Sequence, residues 1–448
     1  MNPHILRAYD IRGRVNEDLD RDTVRSLGAA LGTRVLDAGG TRVALGYDVR
    51  ESSPRLSDWI AEGVLSTGAS VLDLGLVPTP LLYYAVHTQG VDGGVQITGS
   101  HNPPEYNGLK IMQGGAMLHG SGLQELGRLA ESRQFKTGAG RRDALELSER
   151  YLADLLRPGV LSRPLRVVID AGNGCASLLA PELFRRLGAT VKPLYCEYDG
   201  RFPNHMADPT LPETLTALRG EVLELGADFG IAFDGDADRL GVVDETGRIV
   251  WGDQLLALFA RELLVAQPGA MILFEVKCSR AVAEDVIAHG GVPVMTATGH
   301  SLIKQRMSEL GAPLAGEMSG HFFFKDWFGI DDAMYAAARL ARWLARSGRT
   351  LSSAVLELPK YVATPEIRVP CDDARKFDIV SRLRDRYRVG HRVVDVDGAR
   401  IEFETGWGLV RASNTEPVLV VRTEGRTEAE RDGILADLRR ALAELGVS

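Results

Sequence analysis

Cysteine, lysine, aromatic residues and long apolar runs are all scarce in this sequence. Its four cysteines, Cys175, Cys196, Cys278 and Cys371, are scattered and form no CxxC pair. That excludes a zinc site of the usual spacing and a disulfide scaffold. No run approaches the ~20 apolar residues that span a bilayer. The opening MNPHILRAYDIRG lacks the apolar stretch of a secretory signal. The chain therefore reads as cytoplasmic, with no membrane partner. No long basic run occurs and the net charge is -8, which makes nucleic acid a poor partner. Only eight of the 52 basic residues are lysine. Where arginine dominates, a retained lysine suits a compact point charge. Lys110 and Lys277 both follow strand-end loops, although the other six show that lysine also occurs elsewhere.

What is present is an ordinary globular composition, 45% hydrophobic and 25% charged, over 448 residues. At roughly 100–200 residues per domain, the chain should form three or four. Three segments open with a short apolar run ending in or near an acidic residue: RVALGYD (42–48), RVVIDAGNG (166–174) and MILFEVKCSR (271–280). A helix-like stretch follows, such as SPRLSDWIAEGVLSTG or PELFRRLG, and then a second apolar run. Strands alternating with helices predict βαβ units in a mostly parallel sheet. A third run in each copy ends at a polar loop: GGVQITGSHNP, ADFGIAFDGDADR and GAPLAGEMSGH. Ligands gather outside the carboxyl ends of such strands, so the three loops could share a cleft. From about Ala363 the pattern changes to strand, helix, strand, the loop GLVRASNTEP, strand and helix. The expected α/β architecture is three related mixed-sheet domains, 1–147, 148–250 and 251–362, followed by a smaller α+β domain, 363–448.

The loops carry the chemistry. Asp234, Asp236 and Asp238 alternate with Gly235 and Ala237 directly behind the apolar strand FGIAF. Small residues let the backbone curl, so that three carboxylates converge on one hard cation, for which Mg²⁺ is suited. Arg239 next to them can clamp a phosphate. A plain surface turn has a similar composition, but three alternating aspartates behind a buried strand exceed what a turn needs. Ser100 lies in Thr98–Pro104, where a hydroxyl on a tight loop can act as a nucleophile. His101 is its neighbour, yet adjacent side chains often diverge, and no GxSxG pattern supports a hydrolase. Alone, Ser100 reads as a cap or turn residue; beside a metal loop it becomes a phosphoryl acceptor. Glu317 and Ser319 in GEMSGH suit sugar hydroxyls, and His321 can serve acid–base chemistry. Arg411, Ser413, Asn414 and Thr415 offer a phosphate pocket, though an Asn-centred turn would look much the same.

TGSHNP, DGDADR, GEMSGH and RASNTEP, in that order, resemble the α-D-phosphohexomutase superfamily, and specifically its bacterial phosphomannomutase/phosphoglucomutase branch. The resemblance runs from AYDIRG (8–13) to RASNTEP (411–417). It implies four domains arranged around a central cleft. It implies Ser100 as the phosphorylated residue, with Mg²⁺ held by Asp234, Asp236, Asp238 and a phosphoserine oxygen. Glu317 and Ser319 would meet the sugar's 3- and 4-hydroxyls. Arg411, Ser413, Asn414 and Thr415 would hold the phosphate that does not react. Tyr9, Arg12, His101, Lys110, Arg239, Lys277, His300 and His321 fall at cleft-lining motif positions, with Arg12, His101, Lys110 and His321 on the catalytic side. A monomer or weak dimer is expected.

The implied reaction is two phosphoryl transfers between Ser100 and a hexose 1- or 6-phosphate, through a hexose 1,6-bisphosphate that turns over in the cleft. Positioning and charge neutralisation dominate such chemistry, and closure by a mobile fourth domain would exclude water. DGDADR has Ala237 where glycine is common. Met318 favours the mannose/glucose branch over the glucosamine branch, which usually has Gln there. A phosphoglucosamine mutase is thus the nearest rival. An aspartyl-phosphate enzyme would begin its motif near the N-terminus as DxDxT or DxDxV. A non-catalytic sugar-phosphate sensor would be expected to have lost Ser100 or an aspartate.

Overall fold

The computed structural model describes residues 1–413 and 417–447. Its contacts divide the chain into two compact units, Met1–Trp251 with Ser319–Ala354, and Gly252–Met318 with Val355–Ser448. The stretch expected as one segment, 251–362, contributes to both.

The threefold pattern is built into the strand pairing. Arg42–Tyr47 pairs in parallel with Ser70–Leu76 and with Gly93–Ile97. Arg166–Asp170 does the same with Thr190–Leu194 and Phe229–Phe233, and Met271–Glu275 with Val292–Thr296 and Leu314–Gly316. The crossovers run through helices Ser53–Ser66, Ala180–Leu187 and Arg280–Ala288. These central strands read as apolar runs rather than alternating ones because helices cover both faces.

The sheets are mixed, as the expected architecture has them, with antiparallel strands added to the parallel βαβ pairs. Gly93–Ile97 is followed by antiparallel Tyr106–Gln113, and Phe229–Phe233 by antiparallel Leu240–Asp244. Two of the polar loops, residues 98–105 and 234–239, therefore close hairpins.

In the first unit, helix Ala333–Ser347 is N-capped by Asp332, whose side chain accepts the Tyr335 N–H. Its buried Arg342 donates to the carbonyls of Gly159 and Leu155 at 2.7 and 2.6 Å. Asp332 also accepts from the Tyr151 hydroxyl and the Trp327 indole, each at 2.7 Å.

In the second unit the tail forms an antiparallel sheet with helices Lys376–Tyr387 and Glu428–Glu444 packed against it. Residues 408–412, read as part of the loop GLVRASNTEP, belong to strand Gly406–Ala412, which pairs with Val418–Gly425. Strands Arg392–Val394 and Ala399–Glu402 pair with each other and extend the sheet. Buried Trp407 stacks on Arg400 at 3.9 Å, and Arg400 donates to the carbonyls of Val276 and Cys278. The tail is thus fastened to the strand-end turn of Gly252–Met318.

Candidate active site

In the first unit, Ser100 sits at the tip of the hairpin between Gly93–Ile97 and Tyr106–Gln113. It has a left-handed backbone, φ 47°, unusual for a residue with a Cβ. Its amide donates to Thr98 Oγ1 at 2.8 Å. The hydroxyl donates to Asp234 Oδ2 at 2.8 Å and lies 3.1 Å from His101 Nδ1. The structure therefore brings the predicted acceptor onto the predicted metal loop.

That loop spans six residues between Phe233 and Leu240, which pair in the antiparallel ladder. Its tight curl places Ala237 at φ 66°. Asp234 Oδ1 accepts the amides of Asp238 and Arg239, both at 3.1 Å. Asp236 accepts from Thr79 Oγ1 at 2.5 Å and Lys110 Nζ at 2.7 Å. Lys110 also reaches Asp238 Oδ2 at 2.5 Å. All three aspartates are fully buried.

Their charges strain one another. Burial and the carboxylates of Asp238 and Asp236 push Asp234 well above the ordinary carboxylate range. Burial also acts on Asp236, but the Lys110 ammonium outweighs it and holds that carboxyl below its usual value. Burial disfavours the Lys110 ammonium, yet Asp236, Asp238 and Asp234 together raise its pKa.

The donor set fits a hard divalent cation. Oxygens of the three aspartates lie within 4.8 Å of one another. Asp236 Oδ1 and Asp238 Oδ1 are buried with no hydrogen-bond partner among the described residues. Orphaned buried carboxylate oxygens are costly unless a cation takes them.

Around this cluster, Arg12 donates from Nη1 to the Gly99 carbonyl at 2.5 Å and pairs with Asp10. It lies on Ile11–Arg14, opposite Gly108 of the strand that carries Lys110, so both cations share a face. Arg239 Nε donates to His321 Nε2 at 3.0 Å, and His321 Nδ1 lies 3.1 Å from the buried Asp331. Burial and the guanidinium groups of Arg239 and Arg12 hold His101 well below the usual imidazole range. Tyr9 is half-buried in the bend just before Arg12.

The remaining predicted residues gather in the second unit. Glu317 is buried and accepts the Gly299 amide at 3.2 Å, next to His300 at the start of helix His300–Leu310. The Thr298 amide donates to Asp397, which pairs with Arg411 at 2.9 Å. Lys277 Nζ lies 2.9 Å from Glu366 and 3.8 Å from Glu275. Glu275 in turn accepts the Met318 amide at 3.3 Å. Ser413 is buried and its amide donates to Val418 O. Asn414 and Thr415 lie outside the described residues. Ser319 falls in the first unit, although Glu317 lies in the second.

Comparison with known proteins decides the family. Residues 3–137, 149–247 and 251–361 match the phosphoglucomutase/phosphomannomutase alpha/beta/alpha domains I, II and III, and 366–441 match the C-terminal domain. The chain belongs to the phosphoglucomutase/phosphomannomutase family. The family's phosphomannomutase/phosphoglucomutase of Pseudomonas aeruginosa is 45% identical over 440 residues, 98% of this chain and 95% of the relative. The phosphoglucomutase of Neisseria gonorrhoeae is 42% identical, over 95% of this chain and 94% of that one. A solved family structure from Burkholderia thailandensis superposes with a TM-score of 0.93 at 42% identity, covering 99% of this chain and 98% of its own. Among the described residues, no helix is long and apolar enough to cross a membrane.

Motifs alone do not reveal Thr79 and Asp331, which contact Asp236 and His321, or Arg50 and Asp48, which bond the Ser100 carbonyl and the Gly99 amide. Asp48 did carry a signal, as the acidic end of the first repeat's opening strand. Thr79 and Asp331 touch the site only through contacts across the chain.

Proposed function

We propose that the chain is a phosphohexomutase that interconverts hexose 6-phosphate and hexose 1-phosphate of mannose, glucose or both. The observation that carries this reading is the Ser100 hydroxyl donating to a buried cluster of three carboxylates and a lysine. With Ser100 phosphorylated, Asp234, Asp236, Asp238 and a phosphoserine oxygen would hold Mg²⁺. The ion's chemistry is to neutralise charge on the phosphoryl oxygens.

In the first transfer, the bond from phosphorus to Ser100 Oγ breaks and one forms to the free hydroxyl oxygen of the hexose phosphate. That hydroxyl gives up its proton, and Ser100 Oγ regains one. His101, 3.1 Å from Oγ, is our candidate to exchange it, and His321 is the second imidazole we assign to the site. The product is a hexose 1,6-bisphosphate, which reverses in the site and returns its other phosphate to Ser100. Lys110, Arg12 and Arg239 neutralise the moving group. Glu317 and Ser319 are assigned to the sugar hydroxyls, and Tyr9, Lys277 and His300 to substrate binding. Arg411, Ser413, Asn414 and Thr415 take the phosphate at rest. Sugar phosphates are thus the partners, the bisphosphate is the activator, and the enzyme works in the cytoplasm.

Intact mass and peptide mapping after incubation with glucose 1,6-bisphosphate test this reading. One added phosphate on Ser100 is expected, together with turnover of mannose and glucose 1-phosphates that exceeds turnover of glucosamine 1-phosphate. Absence of phosphate on Ser100 would remove the mechanism and leave a sugar-phosphate sensor. Mg²⁺ should raise the melting temperature of the protein by mass action and should fail to do so in Asp236→Asn.

A further inference from the structure

Arg50 has been given no part in the reaction, yet it is among the largest fully buried side chains in the molecule. A guanidinium has five N–H donors in a fixed fork, and here every one is directed into the protein. Nη2 donates to the carbonyls of Ser100 and Asn102 at 2.8 and 2.5 Å. Nη1 donates to those of Pro103 and Tyr106 at 2.7 and 3.1 Å. Nε donates to Asp48 Oδ2 at 3.2 Å. Four of the five therefore hold the backbone of the Ser100 loop itself.

Asp48 completes the arrangement. Its Oδ2 also accepts the Gly99 amide at 3.1 Å, and its Oδ1 accepts the Arg50 amide at 3.0 Å and the Ser53 hydroxyl at 2.5 Å. Phe202 covers the guanidinium at 5.1 Å. Gly99 packs so closely on it that a Cβ there would lie 2.3 Å from Nε. From the other side, Gly235 of the metal loop presses on the Ser100 carbonyl, which a Cβ at 235 would approach to 2.3 Å. The carbonyl of Ser100 is thus caught between Arg50 and the metal loop. A left-handed serine persists only where its surroundings overdetermine it.

Building on the mutase reading of Ser100, we propose that Arg50, oriented by Asp48, is the positioning residue that fixes the Ser100 hydroxyl for phosphoryl transfer. It touches no substrate, so its loss should act on the transfer step rather than on binding. Lysine cannot replace it, because a single ammonium cannot span four carbonyls.

The test uses the full-length chain with Arg50→Lys and Gly99→Ala, the second of which displaces the guanidinium without deleting it. In both, kcat and the rate of Ser100 phosphorylation by glucose 1,6-bisphosphate should fall roughly 100-fold, with KM for glucose 1-phosphate within about threefold of wild type. Amide hydrogen exchange should lose protection over residues 99–106 while the rest of the first unit keeps it. Wild-type kcat in either folded variant, or a loss confined to KM, would overturn the assignment. If Arg50→Lys does not fold, Gly99→Ala decides alone. If the wild-type protein never takes phosphate on Ser100, the mutase reading fails instead. The exchange data then still judge the clamp, since unchanged protection of 99–106 would refute it.

Discussion

The opening strands of the first and third repeats end alike and are used differently. Arg42–Tyr47 leads to Asp48 and, two residues on, Arg50; Met271–Glu275 ends at Glu275 and leads to Lys277. Both acids are buried and both accept an amide of the third-strand loop of their own repeat, Gly99 in one case and Met318 in the other. In the first repeat the following cation turns inward and commits its four Nη donors to that loop and its Nε to Asp48. In the third repeat the turn is held from outside: Arg400 takes the carbonyls of Val276 and Cys278, and Arg422 takes that of Lys277. Because the tail supplies the anchor, Lys277 can extend its ammonium to Glu366 and to whatever enters there. One site locks its reacting loop within the repeat, and the other borrows an anchor to keep a charge available.

The largest break in this comparison is at the locked loop. Ser100→Ala should lower turnover by at least about 10³-fold, with thermal unfolding unchanged, as a coupled mutase assay and a melting scan would record. Next comes the borrowed anchor. Arg400→Ala leaves two carbonyls and a stacked Trp407 without their partner, and should destabilise the second unit by about 3 kcal/mol. In urea it should unfold before the first unit, and a single unshifted transition would contradict the division of labour.

If Arg411 holds the phosphate that does not react, as proposed, Arg411→Ala should raise KM for glucose 1-phosphate roughly 10- to 100-fold with a smaller change in kcat. An effect on kcat alone would move Arg411 into the transfer chemistry. The smallest effect sharpens the metal loop. Ala237→Gly relieves a left-handed alanine at φ 66° and should stabilise by about 0.5 kcal/mol, visible as a small rise in melting temperature at unchanged activity.

Much of this was legible because strands and loops follow local rules. The three βαβ units announced themselves through apolar runs of strand length, and the polar loops fell at the ends of those runs. The aspartates could be singled out as candidates by type and spacing, and Ser100 only in company with them; the structure brings the two loops together. Arg50 could not, since arginine is abundant here and its four carbonyl partners lie 50 to 56 residues away. The return strands Tyr106–Gln113 and Leu240–Asp244 were hidden because a hairpin partner is defined by pairing, not by its own pattern. Residues 408–412 read as loop from sequence because Gly408 and the polar residues after Ala412 resemble a turn, whereas their strand is defined by pairing. Residues 319–354 follow the third repeat in sequence yet pack with the first unit, an exchange fixed by buried Arg342 and Asp332 and not by any local signal.

That last feature bears on how the protein is made. The chain leaves the first unit after Trp251 and returns to it only at Ser319. On a ribosome adding ~5–20 residues per second, the nascent first unit must wait roughly ten seconds for the helix that completes it. Until then the carbonyls of Leu155 and Gly159 lack the Arg342 donor that later satisfies them. A gene cut after the codon for Trp251 would make that interval permanent. The first unit is therefore an assembly that its own downstream sequence must close, and splitting the protein there should yield a fragment held by chaperones, not a smaller soluble domain.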